Sequence, residues 1–179
     1  MHVVVIYATV EGQTRKIARN IAGTVQSAGH DVTVFDATDI EDVDLGATDA
    51  LIVAAPVHVG RYPAALGHWL KANAGAVASI PSAFVSVSLA TASAFAEEHR
   101  EIEAIAAAFT AECGWKPTAV HQAAGALRYL EYDFLKRLLM RQFARKEGGP
   151  VDMSKDHEFT DWDALADFVN GFVKAASAA

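Results

Sequence analysis

What most constrains this chain is an alternation between two kinds of apolar segment. Short continuous runs take turns with stretches whose apolar residues recur every three or four positions. Val3 to Ala8 and Ala50 to Ala55 are runs of the first kind. They have no polar side, so they read as strands buried on both faces. Between them, Ile17, Ile21 and Val25 mark one face of a helix over Arg15 to Ala28, and Gly29 is placed to stop it. Asp31 to Asp36 is a shorter strand with Val32 and Val34 on one side. Pro63 opens a second helix, with Leu66, Trp69 and Leu70 inward. A strand over Ala83 to Val87 follows Pro81, and a helix over Glu97 to Cys113 turns Ile102, Ile105, Ala106 and Phe109 inward. The fifth strand runs from Thr118 to Ala124. Asp161 is the N-cap of a last helix that reaches about Ala175 and buries Leu165, Phe168, Val169 and Phe172.

This order predicts an α/β fold: a doubly wound five-stranded parallel sheet, order 2-1-3-4-5, with helices on both faces. The 179 residues fit one domain, 1–179, with no internal repeat and no linker. One stretch, about 127–149, has more residues than a connection between a strand and a helix requires. Its Leu130, Phe134, Leu135, Leu138, Leu139 and Phe143 form an apolar stripe if the segment is helical. Lys136, Arg137, Arg141, Arg145 and Lys146 occupy much of the remainder. From Arg128 to Lys146 the net charge is +4, which leaves −11 for the rest of a chain whose total is −7. Such an insert suits the headgroup region of an anionic membrane. It suits equally a helix docked on the sheet or in a dimer interface, with its cations solvated.

The acidic total argues against a nucleic-acid partner. No apolar run reaches the roughly 20 residues that cross a bilayer, and no signal peptide is expected before the first strand. Cys113 is the single cysteine, so no intramolecular disulfide forms. The expected location is cytoplasmic, with a peripheral place on the inner membrane if the insert meets lipid.

In the expected layout, ligands bind beyond the carboxyl ends of the strands, where three loops converge. The first is Thr9-Val10-Glu11-Gly12-Gln13-Thr14, which leads from a strand into a helix. Backbone N–H groups and the helix dipole favour an anion there. Thr9 and Thr14 add hydroxyls, Gln13 adds an amide, and Gly12 allows the bend. There is no Walker lysine and no three-glycine dinucleotide fingerprint, which leaves a small phosphate monoester such as the tail of FMN. An ordinary capped helix start explains the same residues. The second loop is Pro56 to Tyr62, in which Val59 and Gly60 precede Arg61; Gly60 supplies flexibility and Tyr62 a wall for a flat ring. Alternatively, Tyr62 packs on its own helix and His58 is simply solvated. The third loop, Ser88-Leu89-Ala90-Thr91-Ala92-Ser93, is small and polar. The seven histidines show no metal-ligand spacing, and no metal is expected.

Several pieces resemble one family, the flavodoxin-like, menaquinone-dependent protoporphyrinogen IX dehydrogenases. They are Glu11-Gly12-Gln13-Thr14-Arg15, Gly60 with Tyr62, Pro81-Ser82-Ala83-Phe84, Ser86-Val87, Gly125-Ala126-Leu127-Arg128-Tyr129, Tyr132-Asp133, Gly148-Gly149 and Thr160-Asp161-Trp162. They run nearly from end to end, in order. The resemblance implies bound FMN, a porphyrinogen substrate and a membrane quinone as acceptor, in haem biosynthesis. It implies that Thr9, Val10, Glu11, Gly12, Gln13 and Thr14 hold the phosphate. Val59, Gly60, Tyr62, Ser88, Leu89 and Ala90 would lie near the ring, as would Gly125, Ala126 and Leu127 at the end of the fifth strand. Arg61, Arg128 and Tyr129 are substrate candidates. No side chain is expected as catalytic acid or base, because the flavin carries the chemistry. The chain departs from the family pattern at Val59, where an aromatic is usual, and at Ala92 to Arg100, which is Ala-rich with Glu97 and Glu98 rather than basic and prolyl. Two rival readings share the fold: an FMN electron carrier without its own small substrate, and a flavin-free interaction module.

Overall fold

The computed structural model describes residues 1–38, 43–127 and 157–178. Strand β1 (His2–Tyr7) leads into helix α1 (Gln13–Ser27), then β2 (Asp31–Asp36), a 3-10 turn (Leu45–Ala47) and β3 (Ala50–Pro56). Helices α2 (Ala64–Ala72) and α3 (Ala74–Ala78) lead to β4 (Ser82–Ser88). A second 3-10 turn (Leu89–Ala92), α4 (Ala96–Glu112) and β5 (Ala119–Ala124) follow. Two short strands, β6 (Ala126–Leu127) and β7 (His157–Glu158), precede α5 (Trp162–Ala176).

The five long strands form one parallel sheet in the order β2-β1-β3-β4-β5, as the alternation predicts. The three central strands show why their sequences are continuous runs: β1, β3 and β4 are buried on both faces. On one face Val3, Val5, Ile52 and Val85 pack against Ile17, Ile21 and Val25 of α1 and Leu165, Val169 and Phe172 of α5. On the other, Val4, Ile6, Leu51, Val53 and Phe84 meet Leu66 and Leu70 of α2, Val77 of α3 and Ala106 of α4. Each fully buried Val, Leu, Ile or Phe contributes on the order of 1.5–3 kcal/mol. The outer strands are less covered, and Val34 of β2 and Val120 of β5 are exposed apolar residues.

Most boundaries fall within a residue or two of the sequence reading. Asp161 does cap the last helix, its carboxylate accepting the Ala164 N–H at 2.9 Å. One shift matters for the site: α1 begins at Gln13 rather than Arg15, so Gln13 and Thr14 belong to its first turn. The short pair β6–β7 and the helix α3 carry too few residues to show a period. The pair is antiparallel, with Leu127 opposite His157, so the chain leaves and returns side by side at the base of the insert. The basic stripe, Arg128 and Tyr129 lie outside the described residues. Among the described residues, no helix is long and apolar enough to cross a membrane.

Candidate functional site

The parallel sheet brings three loops to one edge. Ala8 N–H donates to Ala54 O at 3.0 Å and Val57 N–H to Val87 O at 2.8 Å, so the ends of β1, β3 and β4 are hydrogen-bonded side by side. Gly125 joins them after β5, its N–H donating to Ser88 O at 3.1 Å.

The loop after β1 turns on Gly12, whose φ of 86° lies in the left-handed region. Only glycine takes that conformation without strain. Thr9 Oγ1 accepts the Gly12 N–H at 2.8 Å and holds the bend. Helix α1 then starts with no side-chain cap and no acid in its first turn. Its leading N–H groups therefore have no intrahelical partner and no capping side chain, and the dipole favours an anion in front of them.

Two expectations for this loop change. The Gln13 and Thr14 side chains are buried, at 8% and 2% exposed, because α1 starts two residues early and turns them inward. The Gln13 amide donates to Thr160 Oγ1 at 3.0 Å, and Thr160 in turn donates to Ala124 O at 2.7 Å. What Gln13 offers a ligand is thus its backbone N–H, not its amide. Next to this chain, Lys16 pairs with Glu158 at 2.5 Å and lies over the Trp162 ring. Burial pushes the Glu158 carboxyl up, but its bonds from Lys16, Trp162 and Gln13 outweigh that and hold it below its ordinary value.

A polar cleft of about 340 Å³ opens on the β2 side of the same loop, lined by residues 9–12 with Arg15, Asp36 and Thr38. Arg15 Nε donates to Tyr7 Oη at 3.2 Å, and its Nη2 lies 3.7 Å from Asp36 Oδ2. Asp36 Oδ1 accepts the Thr38 N–H at 3.1 Å and its hydroxyl at 2.9 Å. Burial raises the Asp36 carboxyl, yet Thr38, Tyr7 and Arg15 together bring it below the usual range. Arg15, Asp36 and Thr38 were not among the expected site residues. The signal that could have found them is positional: a third helical residue points back over its own N-terminus, and β2 ends beside β1.

The loop after β3 is a two-residue turn. His58 and Arg61 exchange backbone hydrogen bonds of 2.9 and 3.1 Å, with Val59 at φ 49° and Gly60 at φ 71° between them. Both central residues are left-handed, as a type I′ turn requires. Gly60 suits this; Val59 is β-branched and strained by about 1–2 kcal/mol. It is 87% exposed, and His58 and Arg61 are exposed with it. Tyr62 is a correction. Its ring is not a wall at the surface but packs between Phe84 and Phe109, at centroid distances of 5.2 and 4.5 Å. Its hydroxyl donates to Ser86 Oγ at 2.8 Å. Burial pushes the phenol up to about 12 against the opposing Ser86 bond, so it stays protonated. The gain from burying an aromatic ring decides this placement.

In the third loop Ser88 Oγ accepts the Ala90 N–H at 3.2 Å, while Leu89 and Ala90 are half-buried. Thr91 Oγ1 is buried without a hydrogen-bond partner. Gly125 is fixed on both sides, since its carbonyl accepts the Phe159 N–H at 3.1 Å. Its N–H is committed to Ser88, so it can offer a ligand close approach but no donor. Ala126 is half-buried and Leu127 continues the strand.

Residues 4–154 match the family described as flavodoxin domain. Over 170 residues the chain is 31% identical to protoporphyrinogen IX dehydrogenase (quinone) of Escherichia coli (strain K12), covering 94% of this chain and 92% of that one. It is 30% identical over 170 residues to the protein of the same name from Leishmania major, covering 93% and 72%. Among solved structures, a short-chain flavodoxin associated with a PDU bacterial microcompartment superposes with a TM-score of 0.60 at 15% identity, covering 98% and 99%. Oxidised flavodoxin 1 from Bacillus cereus gives 0.56 at 19% identity, covering 97% and 98%. The structural likeness establishes the fold, and the sequence identity carries the assignment further. The chain belongs to the flavodoxin domain family and, within it, to the group of the quinone-linked protoporphyrinogen IX dehydrogenases.

Proposed function

We propose that this chain is an FMN-dependent oxidoreductase that takes electrons from a porphyrinogen and passes them to a quinone, as the names of its relatives describe for them. The observation that carries the cofactor is the start of α1. A glycine bend, a helix with no capping side chain and a hydroxyl-braced loop fit a phosphate monoester. The chemistry supplied by bound FMN is two-electron transfer at its ring.

The chain's own residues do the positioning. Gln13 and Thr14 hold the phosphate through backbone N–H groups, and the Gly12 bend, braced by Thr9, aims them. Val59 supplies an apolar contact that Tyr62, sunk in the core, does not. Thr91 has a hydroxyl with bonding capacity left in the third loop. Arg61, exposed on the turn, would meet a substrate carboxylate. No side chain is assigned as acid or base. A quinone acceptor resides in a bilayer, and the cations from Arg128 to Lys146 would meet an anionic leaflet on its cytoplasmic side. Replacing Lys136, Arg137, Arg141 and Arg145 by Gln should release the protein from anionic vesicles at low salt; unchanged binding removes the membrane role.

One observation favours the electron-carrier reading. Glu97 and Glu98 sit in the first turn of α4, close after the third loop, and would repel a carboxylated substrate. The test is an anaerobic assay of FMN-loaded protein with protoporphyrinogen IX and a menaquinone analogue. Turnover supports the dehydrogenase. No turnover, with rapid reduction by a flavodoxin reductase, supports the carrier.

A further inference from the structure

We propose that Arg15 is the counter-charge for the cofactor's phosphate, and that the bound phosphate draws its guanidinium away from Asp36. This rests on the reading that the chain binds FMN. Among the described residues, the cleft beside the α1 start contains two carboxylates, Glu11 and Asp36, and one cation, Arg15. Its side chains therefore sum to a negative charge, in a chain that is already at −7. A phosphate monoester carries up to two further negative charges. The helix dipole offers about half a positive charge at the N-terminus, which does not balance the site. Among the described lining residues, Arg15 is the one that can.

Its tethers are unequal in a way that suits this. The Nε bond to Tyr7 is 3.2 Å, and Tyr7 is itself 9% exposed and fixed in the core. The contact to Asp36 is long, 3.7 Å, and the Arg15 side chain is 49% exposed. A half-exposed pair at that distance holds little. Tyr7 can serve as the pivot while the two terminal nitrogens turn toward the loop, where a phosphate accepts two parallel bonds. Asp36 does not depend on Arg15, because Thr38 already gives it two hydrogen bonds. Its release leaves no buried carboxylate without a partner. Arg15 is thus a binding residue for the phosphate, and Asp36 its competitor.

The test uses the full chain stripped of flavin, with binding read from flavin fluorescence quenching at fixed ionic strength. FMN, riboflavin and inorganic phosphate are compared on the wild type, Arg15→Gln, Arg15→Lys and Asp36→Asn, with a thermal melt for each. Arg15→Gln should weaken FMN by roughly tenfold to a hundredfold and leave riboflavin within about twofold. Asp36→Asn should tighten FMN severalfold, and Arg15→Lys should fall between the wild type and Arg15→Gln. Inorganic phosphate should compete with FMN on the wild type and compete less well on Arg15→Gln. The proposal is overturned if Arg15→Gln binds FMN like the wild type, or loses FMN and riboflavin equally, which marks a structural role. It is overturned too if Asp36→Asn weakens FMN. A wild type that binds riboflavin as tightly as FMN rejects the phosphate contact, and one that binds no flavin removes the cofactor reading as well.

Discussion

The loop after β1 and the loop after β3 end on the same edge of the sheet, yet they are held in different ways. The first is stitched by polar bonds, from Thr9 to Gly12 and from Gln13 through Thr160 to Ala124. The second is anchored by a ring, Tyr62, driven into the aromatic cluster of Phe84, Phe109 and Trp115. Among the described residues its tip has no such support: two backbone bonds close the turn, with a strained valine between them. The first arrangement fixes a row of backbone donors in place, which a charged group of constant shape needs. The second fixes the base of the turn through a buried ring and holds the tip by the turn's own two backbone bonds. The difference teaches that neighbouring loops on one sheet edge can be anchored by unlike means, polar bonds in one and a buried ring in the other.

Substitutions at the two anchors should separate them. The largest effect is expected at Tyr62→Ala, which removes a buried ring and should cost about 3–5 kcal/mol in urea unfolding. Tyr62→Phe keeps the ring, strands the Ser86 hydroxyl, and should cost about 1 kcal/mol. A cost for Tyr62→Ala near that of Tyr62→Phe would place the ring outside the core. Next is Thr160→Val, which removes the hydroxyl that joins the Gln13 amide to the Ala124 carbonyl and should cost about 1–3 kcal/mol. It should also weaken FMN, because the first turn of α1 loses its brace; stability lost with FMN affinity intact would show that the stitch serves the fold alone. Val59→Asn relieves the left-handed strain and should stabilise the protein by about 1 kcal/mol, a rise of roughly 2–4 °C in Tm. A fall in Tm would show that Val59 is held by packing.

The smallest effect is a pH dependence away from both loops. Burial holds the His121 imidazole, stacked on Phe168 at 4.9 Å, below its ordinary value, although Asp161 opposes this. The unfolded chain binds that proton near pH 6.5 and the folded chain only at lower pH. Between the two the unfolded state holds more protons, so stability declines as pH falls through that window. Urea midpoints above and below pH 6.5 should show the decline, and His121→Gln should flatten it.

The sheet order was legible because β1, β3 and β4 are buried on both faces and their sequences say so without interruption. The left-handed bend before α1 was legible from Gly12 and the hydroxyl of Thr9 that braces it. The fate of Tyr62 was not: a tyrosine between a loop and a helix reads equally as wall or core, and only the presence of Phe84 and Phe109 on the same face of the sheet decides. Gln13 misled for a related reason. Its partner Thr160 is remote in sequence, and local pattern carries no information about so distant a bond. Arg15 was read as part of a motif rather than as a charge, because the acid that tethers it ends a different strand.

The central claim is that the start of α1 holds the phosphate of FMN. The most direct measurement is a titration of isotope-labelled, flavin-free protein with FMN, following backbone amide resonances. The account predicts that the amides of Gln13 and Thr14 shift most, and that riboflavin moves them far less. Saturating FMN that leaves those two amides in place would contradict it.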